Sequence, residues 1–220
     1  MAIRQRAIQA EAKHERHHAI LDAAERLLSR SPDRIANVAE VADEAGLAKG
    51  TVYLYFPSKE ELLLALHERN IDGYFRALIA CLEDDDTVTI DDILALTHRH
   101  IVEPPLFLPL AARCFGMMGQ GVPPEAASAF KQRMAQRLQR AGAGVERHFP
   151  DLPAGGGVGL LRHSYALIIG LWQMSGDSAG GDCALDMAVA DPVVFGWRYA
   201  DELESALRAL WEGTVTPGSP

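Results

Sequence analysis

Lys49, Gly50, Thr51, Tyr53, Tyr55 and Lys59 crowd into one short stretch of the chain. These residue types suit the surface of a nucleic-acid duplex. Lysines neutralise phosphates, and Thr and Tyr hydroxyls donate to phosphate oxygens or base edges. A glycine lets the backbone come close. The same stretch is poor material for catalysis. Gly46-Leu47-Ala48-Lys49-Gly50-Thr51 has Lys-Gly-Thr where a phosphate loop requires Gly-Lys-Thr, and no strand precedes it. The glycines at 155–159 do not fit the dinucleotide fingerprint. His14-Glu15-Arg16-His17-His18 and Gly176-Asp177-Ser178-Ala179-Gly180 have the letters of HExxH and GxSxG, but no third clear ligand accompanies the histidines and no strand pattern precedes the serine. No enzyme activity and no cofactor are expected.

Two short helices joined by a tight turn must position these side chains. Asn37-Val38-Ala39-Glu40 is a capping box with Asn in the place of Ser or Thr. The helix it starts stops at Gly46, which permits a left-handed turn. A second helix over about 48–54 follows at once, and Phe56-Pro57-Ser58 ends it. This is a helix-turn-helix signature. Val38, Val41, Ala42 and Ala45 supply small contacts, while Leu47 and Val52 seat the second helix on the first. With Val52 inward, Lys49, Gly50, Thr51, Tyr53 and Tyr55 face out. Phe56 reads as a core plug. Ser58 with Glu61 caps the next helix, whose first residue, Lys59, can meet a phosphate. Tyr53 and Tyr55 could instead be core aromatics. Arg4, Arg6, Lys13 and Arg16 could form an arm toward the duplex. His14 and His18 stand at helical spacing, but without a third clear ligand no metal site is expected.

The rest of the chain has a helical pattern. Helices are expected at about 11–30, 38–45, 48–54, 59–82, 88–101, 104–118, 123–148, 157–175 and 192–213, and no strand pattern or repeat is found. The fold class is all-α, about nine helices, with a head over residues 1–62 and a larger body over 63–220. The 220 residues are enough for a real core, and the 48% hydrophobic, 23% charged composition is that of a globular chain. No apolar stretch approaches the ~20 residues of a membrane span. Cys81, Cys114 and Cys183 form no CxxC pair, so reduced thiols and a cytoplasmic location are expected. The net charge of −9 argues against nucleic acid until it is divided. Residues 1–60 carry nine basic and nine acidic side chains, so the whole acidic excess lies beyond residue 60. Only the head can tolerate a polyanion.

Residues 18–65 resemble the tetracycline-repressor (TetR/AcrR) family of bacterial regulators. The matching residues are Ile20-Leu21-Asp22-Ala23-Ala24, then Val41-Ala42 with Ala45-Gly46-Leu47. They continue with Lys49-Gly50-Thr51-Val52-Tyr53, Tyr55-Phe56, Ser58-Lys59-Glu60 and Leu62. Two departures stand out. Ala48 replaces the serine that often caps the second helix, and residues 29–34 lack the family's usual glycine. The resemblance implies a homodimeric repressor that binds double-stranded operator DNA through its head. The body would bind a small-molecule effector and dimerise through its last two long helices. Effector binding would change the separation of the heads and release the operator. A helical ligand carrier or partner-binding protein without DNA binding is the second reading.

In the body, His98, His100, Phe107, Arg113, Phe115, Met117 and Met118 offer a mostly apolar wall with a few orienting polar groups, and Tyr165 and Trp172 add amphipathic aromatics. Plain core is the competing reading of the same residues. Arg113 could pair an anionic ligand or an acidic neighbour. The acidic body favours a neutral or cationic effector. Gly196, Ala200, Leu203, Leu207 and Leu210 alternate at spacings of four and three, a bundle seam. With Leu160, Leu161, Tyr165, Ile168 and Trp172 they are expected to form a dimer interface. Alternatively these faces close the monomer's own core.

Overall fold

The computed structural model describes residues 2–31, 34, 36–84, 87–117, 121–175 and 197–215. Nine α-helices and one π-helical turn account for nearly all of them, and no strand occurs among the described residues. The helices are α1 (Ala2–Arg30), α2 (Val38–Ala45), α3 (Lys49–Tyr55), α4 (Lys59–Glu83), α5 (Ile90–Thr97), α6 (Phe107–Met117), α7 (Pro124–His148), α8 (Gly156–Met174) and α9 (Tyr199–Val215). The π turn, His98–Val102, continues α5. None of these helices is long and apolar enough to cross a membrane.

Three expected boundaries move. α1 starts at Ala2, so Arg4 and Arg6 stand on the helix rather than on an arm. The helix expected over 88–101 widens at its end, where the Glu103 amide reaches back five residues to the His98 carbonyl (2.9 Å). The widened turn runs up to Pro104-Pro105, which lack the amides to continue a regular ladder. α6 therefore begins only at Phe107, not at 104.

The helices enclose two hydrophobic cores. The head core joins Ile20, Ala23, Ala24 and Leu28 of α1 to Val38, Val41 and Ala42 of α2, Val52, Phe56, and Leu62, Leu63 and Leu66 of α4. The body core takes Ile71, Tyr74, Phe75 and Leu78 from the same α4, together with α5, α7, α8 and α9. One continuous helix thus serves both cores, and the head core extends beyond the expected boundary at residue 62. α6 serves both as well. Leu106, just before it, and its Leu110 and Cys114 pack into the head, whereas Phe107, Leu108 and Ala111 pack into the body.

Ion pairs fix the outer faces. Glu44 on α2 receives Arg26 and Arg30 of α1, both at 2.8 Å. Arg69 on α4 reaches Asp22 and Glu25 of α1. Arg133 and Arg137 of α7 converge on Glu68 of α4. Burial alone would raise the Glu68 carboxyl, but these two guanidiniums outweigh it and hold it below the usual carboxylate range.

Candidate nucleic-acid interface and internal cavity

The turn between α2 and α3 is built as its sequence demands. The Asn37 side chain accepts the Ala39 and Glu40 amides at 2.9 and 3.1 Å, and Glu40 returns a bond to the Asn37 amide. Gly46 sits at φ 65°, ψ 31°, and the Leu47 amide closes onto the Ala42 carbonyl at 2.9 Å. A side chain here would be strained in that left-handed conformation. Ala48 offers α3 no side-chain cap, so the Thr51 amide is met by the Ala48 carbonyl (2.8 Å). α3 is then held chiefly by the fully buried Val52, worth about 1.5–3 kcal/mol of burial.

With Val52 inward, helical spacing presents two pairs to solvent, Lys49 with Tyr53 and Gly50 with Leu54. Tyr53 is 43% exposed and Leu54 83%. The Lys49 ammonium lies 5.9 Å from the Tyr53 ring centre, a cation–π arrangement that orients both. Gly50 has open space where a Cβ would stand, so packing within the chain does not require glycine there. Thr51 is half-buried beside this face. Tyr55 is half-buried too and packs against the head core, with the His17 ring 6.5 Å away. Phe56 is buried, its ring 4.9 Å from His17. Lys59 is exposed at the start of α4, its ammonium 3.7 Å from the Glu60 carboxylate. Leu54 was not singled out by type, because an apolar residue inside a motif reads as core. Its position, two residues from the buried Val52, is the signal that places it outside.

An internal cavity of about 360 Å³ opens between α4, α7 and α8. Its wall is largely apolar and includes Ile71, Phe75, Ile101, Phe130, Met134 and Leu161. Several of its polar groups are satisfied within the wall. The Tyr74 hydroxyl meets Thr97 Oγ1 at 3.4 Å, and Ser164 Oγ donates to the Leu160 carbonyl and accepts Trp211 Nε1–H at 3.0 Å. Cys114 points its thiol at the Leu63 carbonyl, and burial pushes that thiol up to about 12. His67, 2% exposed, places Nε2 3.3 Å from the Tyr165 hydroxyl. Its Nδ1 is buried with no hydrogen-bond partner. Burial brings the imidazole down to about 4, against a small opposing pull from the Glu68 carboxylate, so it is neutral at pH 7.

Of the expected ligand-site residues whose side chains are described, only Tyr165 reaches this cavity. Phe107 is fully buried behind His67, with 5.6 Å between ring centres. Trp172 stacks edge-on against Tyr199 at 5.3 Å. His98 stands beside Glu103 and lines a separate groove against α9. Met117 packs against the head core. Arg113 is half-buried, lines neither space, and has no ion pair among the described residues. Met118 and the Phe115 side chain lie outside the described residues. The true lining was missed because it comes from helices far apart in the chain. His67, following Leu63 and preceding Ile71 at steps of four, was the available signal: a histidine on a buried stripe.

The expected dimer seam is corrected likewise. Leu160, Leu161, Ile168, Leu203 and Leu207 are buried within the monomer's own core, where α8 and α9 pack on each other. Leu210 is half-buried against that core, and Ala200 is half-buried in the groove beside α5. Gly196 lies outside the described residues.

A head presenting an outward recognition helix, joined by two shared helices to a body with an internal cavity, defines a helix-turn-helix regulator. Residues 20–66 match the model of "Bacterial regulatory proteins, tetR family", and residues 68–218 match "Tetracyclin repressor-like, C-terminal domain". The chain belongs to the tetR family of transcriptional regulators. It is 34% identical over 86 residues to the "Fatty acid metabolism regulator protein" of Bacillus subtilis, 38% of this chain and 42% of that one. It is 40% identical over 70 residues to the "HTH-type transcriptional regulator EthR" of Mycobacterium tuberculosis, 32% of each chain. The chain thus matches about two fifths and one third of the length of these relatives. Among solved structures it is similar to FadR of Thermus thermophilus, a repressor determined in complex with lauroyl-CoA. That likeness has a TM-score of 0.60 at 20% identity and covers 93% of this chain and 97% of that one. PfmR of the same organism gives 0.52 at 15% identity, covering 87% and 96%. At such identities the likeness concerns the fold.

Proposed function

We propose that this chain is a ligand-responsive repressor, which binds operator DNA as a homodimer through α3 and releases it when a small molecule fills the cavity. The observation that carries the reading is the outward face of α3, held rigid by the capping box and the Gly46 turn. Lys49, Gly50, Thr51, Tyr53, Tyr55 and Lys59 serve as its contacts. Lys49 and Lys59 take phosphates, Thr51 and Tyr53 take phosphates or base edges, and Gly50 allows close approach. Tyr55 contributes from its half-buried place at the edge. Leu54 suits the methyl group of a thymine. α3 spans roughly 10 Å, comparable with the ~12 Å width of the major groove.

α6 supplies the route from cavity to head. Cys114 belongs to the cavity wall and the head core together. A ligand that alters the setting of α6 therefore shifts contacts on the head side. The ligand must bind the DNA-incompetent arrangement more tightly than the competent one. A coupling of about 1–3 kcal/mol would change operator affinity about 5- to 150-fold.

For the dimer, the exposed face of α8 is the better candidate than the buried seam. Gly159, His163, Ala166 and Gly170 follow one another at helical spacing, His163 and Ala166 exposed and the two glycines half-buried, and a Cβ at either glycine would meet open space. Small residues let two helices approach closely across a symmetry axis. Gel-shift with the duplex upstream of this chain's own coding sequence tests the reading, with a compound library screened by thermal shift. Hits should stabilise the protein and weaken the shift. Hits that stabilise it and leave operator affinity unchanged would break the coupling.

A further inference from the structure

The mouth of the cavity carries two cations that the rest of the fold does not use. Lys131 of α7 and Arg162 of α8 both line it, and both are exposed. Neither forms an ion pair or hydrogen bond among the described residues, in contrast to their neighbours. Arg133, Arg137 and Arg140, also on α7, are each bound to carboxylates of α4. Deeper in the wall, His67 Nδ1 is the one buried side-chain nitrogen or oxygen without a partner among the described residues.

We propose that the effector is an amphiphilic anion. Its apolar chain fills the cavity past His67, and its carboxylate or phosphate rests at the mouth between Lys131 and Arg162. The inference deepens the reading of the cavity as the effector site and rests on it. An anion inside the apolar wall would carry a heavy desolvation cost, but at the mouth it keeps water on one side. Both residues are exposed, so their charged heads keep water while their aliphatic stems can cover the apolar rim. The net charge of −9 disfavours anions only at long range, where salt screens it beyond about 8 Å. Two unpaired cations at the rim act inside that distance and reverse the preference for a neutral or cationic ligand that overall charge suggests. The volume of about 360 Å³ lies near the lower end of the range for ligand pockets, roughly 300–1,000 Å³, and suits a single slender chain.

The test uses the full chain and four twelve-carbon probes below their micelle thresholds: dodecanoate, dodecyl phosphate, dodecanol and dodecyltrimethylammonium. Isothermal calorimetry should show at least one anion binding tenfold or more tighter than the alcohol, with the ammonium weakest. The tighter anion identifies the head group as carboxylate or phosphate. Lys131→Gln combined with Arg162→Gln should reduce anion affinity at least tenfold and leave dodecanol unchanged, and thermal melting should confirm an intact fold. Equal binding of dodecanol and both anions would overturn the proposal. So would wild-type anion affinity in the double variant, or no binding of any probe. The same samples titrated with the upstream duplex separate the two readings. Intact DNA recognition without anion preference removes this inference alone. Anion binding without DNA recognition removes the regulator reading and leaves the site.

Discussion

Gly50 and His67 are two residues whose types folding alone does not explain. Nothing inside the chain requires glycine at position 50, since a Cβ there meets open space. Gly50→Ala should therefore leave stability unchanged or raise it by up to ~1 kcal/mol through helix propensity. It should weaken operator binding, because the added methyl stands between α3 and the duplex. Parallel melting and gel-shift measurements check both halves. His67 has a different signature. Burial keeps its imidazole neutral down to about pH 4 in the folded state, while the unfolded chain takes up this proton below about 6.5. The unfolded state then binds more protons, so stability present above pH 6.5 is lost as pH falls toward 4, by up to about 3 kcal/mol. Urea unfolding of the wild type and His67→Phe at pH 7.5 and pH 4.5 should show a smaller pH-dependent loss in the variant. Equal losses would mean that His67 is not the titrating group.

At the level of elements, the sequence is most legible where local chemistry dictates structure. Asn37, Gly46 and Ser58 announce their caps and turns through side-chain types that few other conformations explain. α7 begins at Pro124 as the proline rule requires. The heptad-like spacing of Leu203 and Leu207 was equally real but ambiguous. A leucine stripe meets whichever apolar face arrives first, and here α8 of the same chain covers it. The cavity was illegible because its wall is assembled from α4, the π turn, α6, α7 and α8, and no spacing within one helix encodes a shape shared by several. The α7–α8 crossing adds a constraint that composition hides. A Cβ on Gly157 would strike the Gly142 carbonyl oxygen, and one on Gly142 would lie 2.6 Å from Val158 Cγ2. The first obstacle is backbone and cannot swing aside. Gly157→Ala should destabilise the protein by about 1–3 kcal/mol by forcing these helices apart, read as a lower denaturant midpoint. Gly73→Ala, in open space on α4, is the control and should not.

At the scale of the whole molecule, the acidic body and near-neutral head divide the labour, and α4 and α6 tie the parts together. The buried seam changes which variant tests assembly. Leu203→Arg would place a charge in the monomer's core and unfold it, whereas Ala166→Arg alters an exposed position on α8. Sedimentation at micromolar concentration should find the wild type dimeric and Ala166→Arg shifted toward a folded monomer, with weaker operator binding because each half-site then acts alone. A wild-type monomer would overturn the dimer, and an unshifted Ala166→Arg dimer would move the interface elsewhere. The most direct test of the account is a fluorescence anisotropy titration of the labelled upstream duplex over a range of salt, with wild type, Tyr53→Ala and Lys59→Ala. Wild type should bind this duplex far more tightly than a scrambled one. Tyr53→Ala should lose about 1–3 kcal/mol of that preference, and Lys59→Ala should weaken both duplexes alike while flattening the salt slope by about one unit. Equal wild-type affinity for the two duplexes at every salt concentration, or operator affinity unchanged in both folded variants, would contradict a regulator that reads DNA through α3.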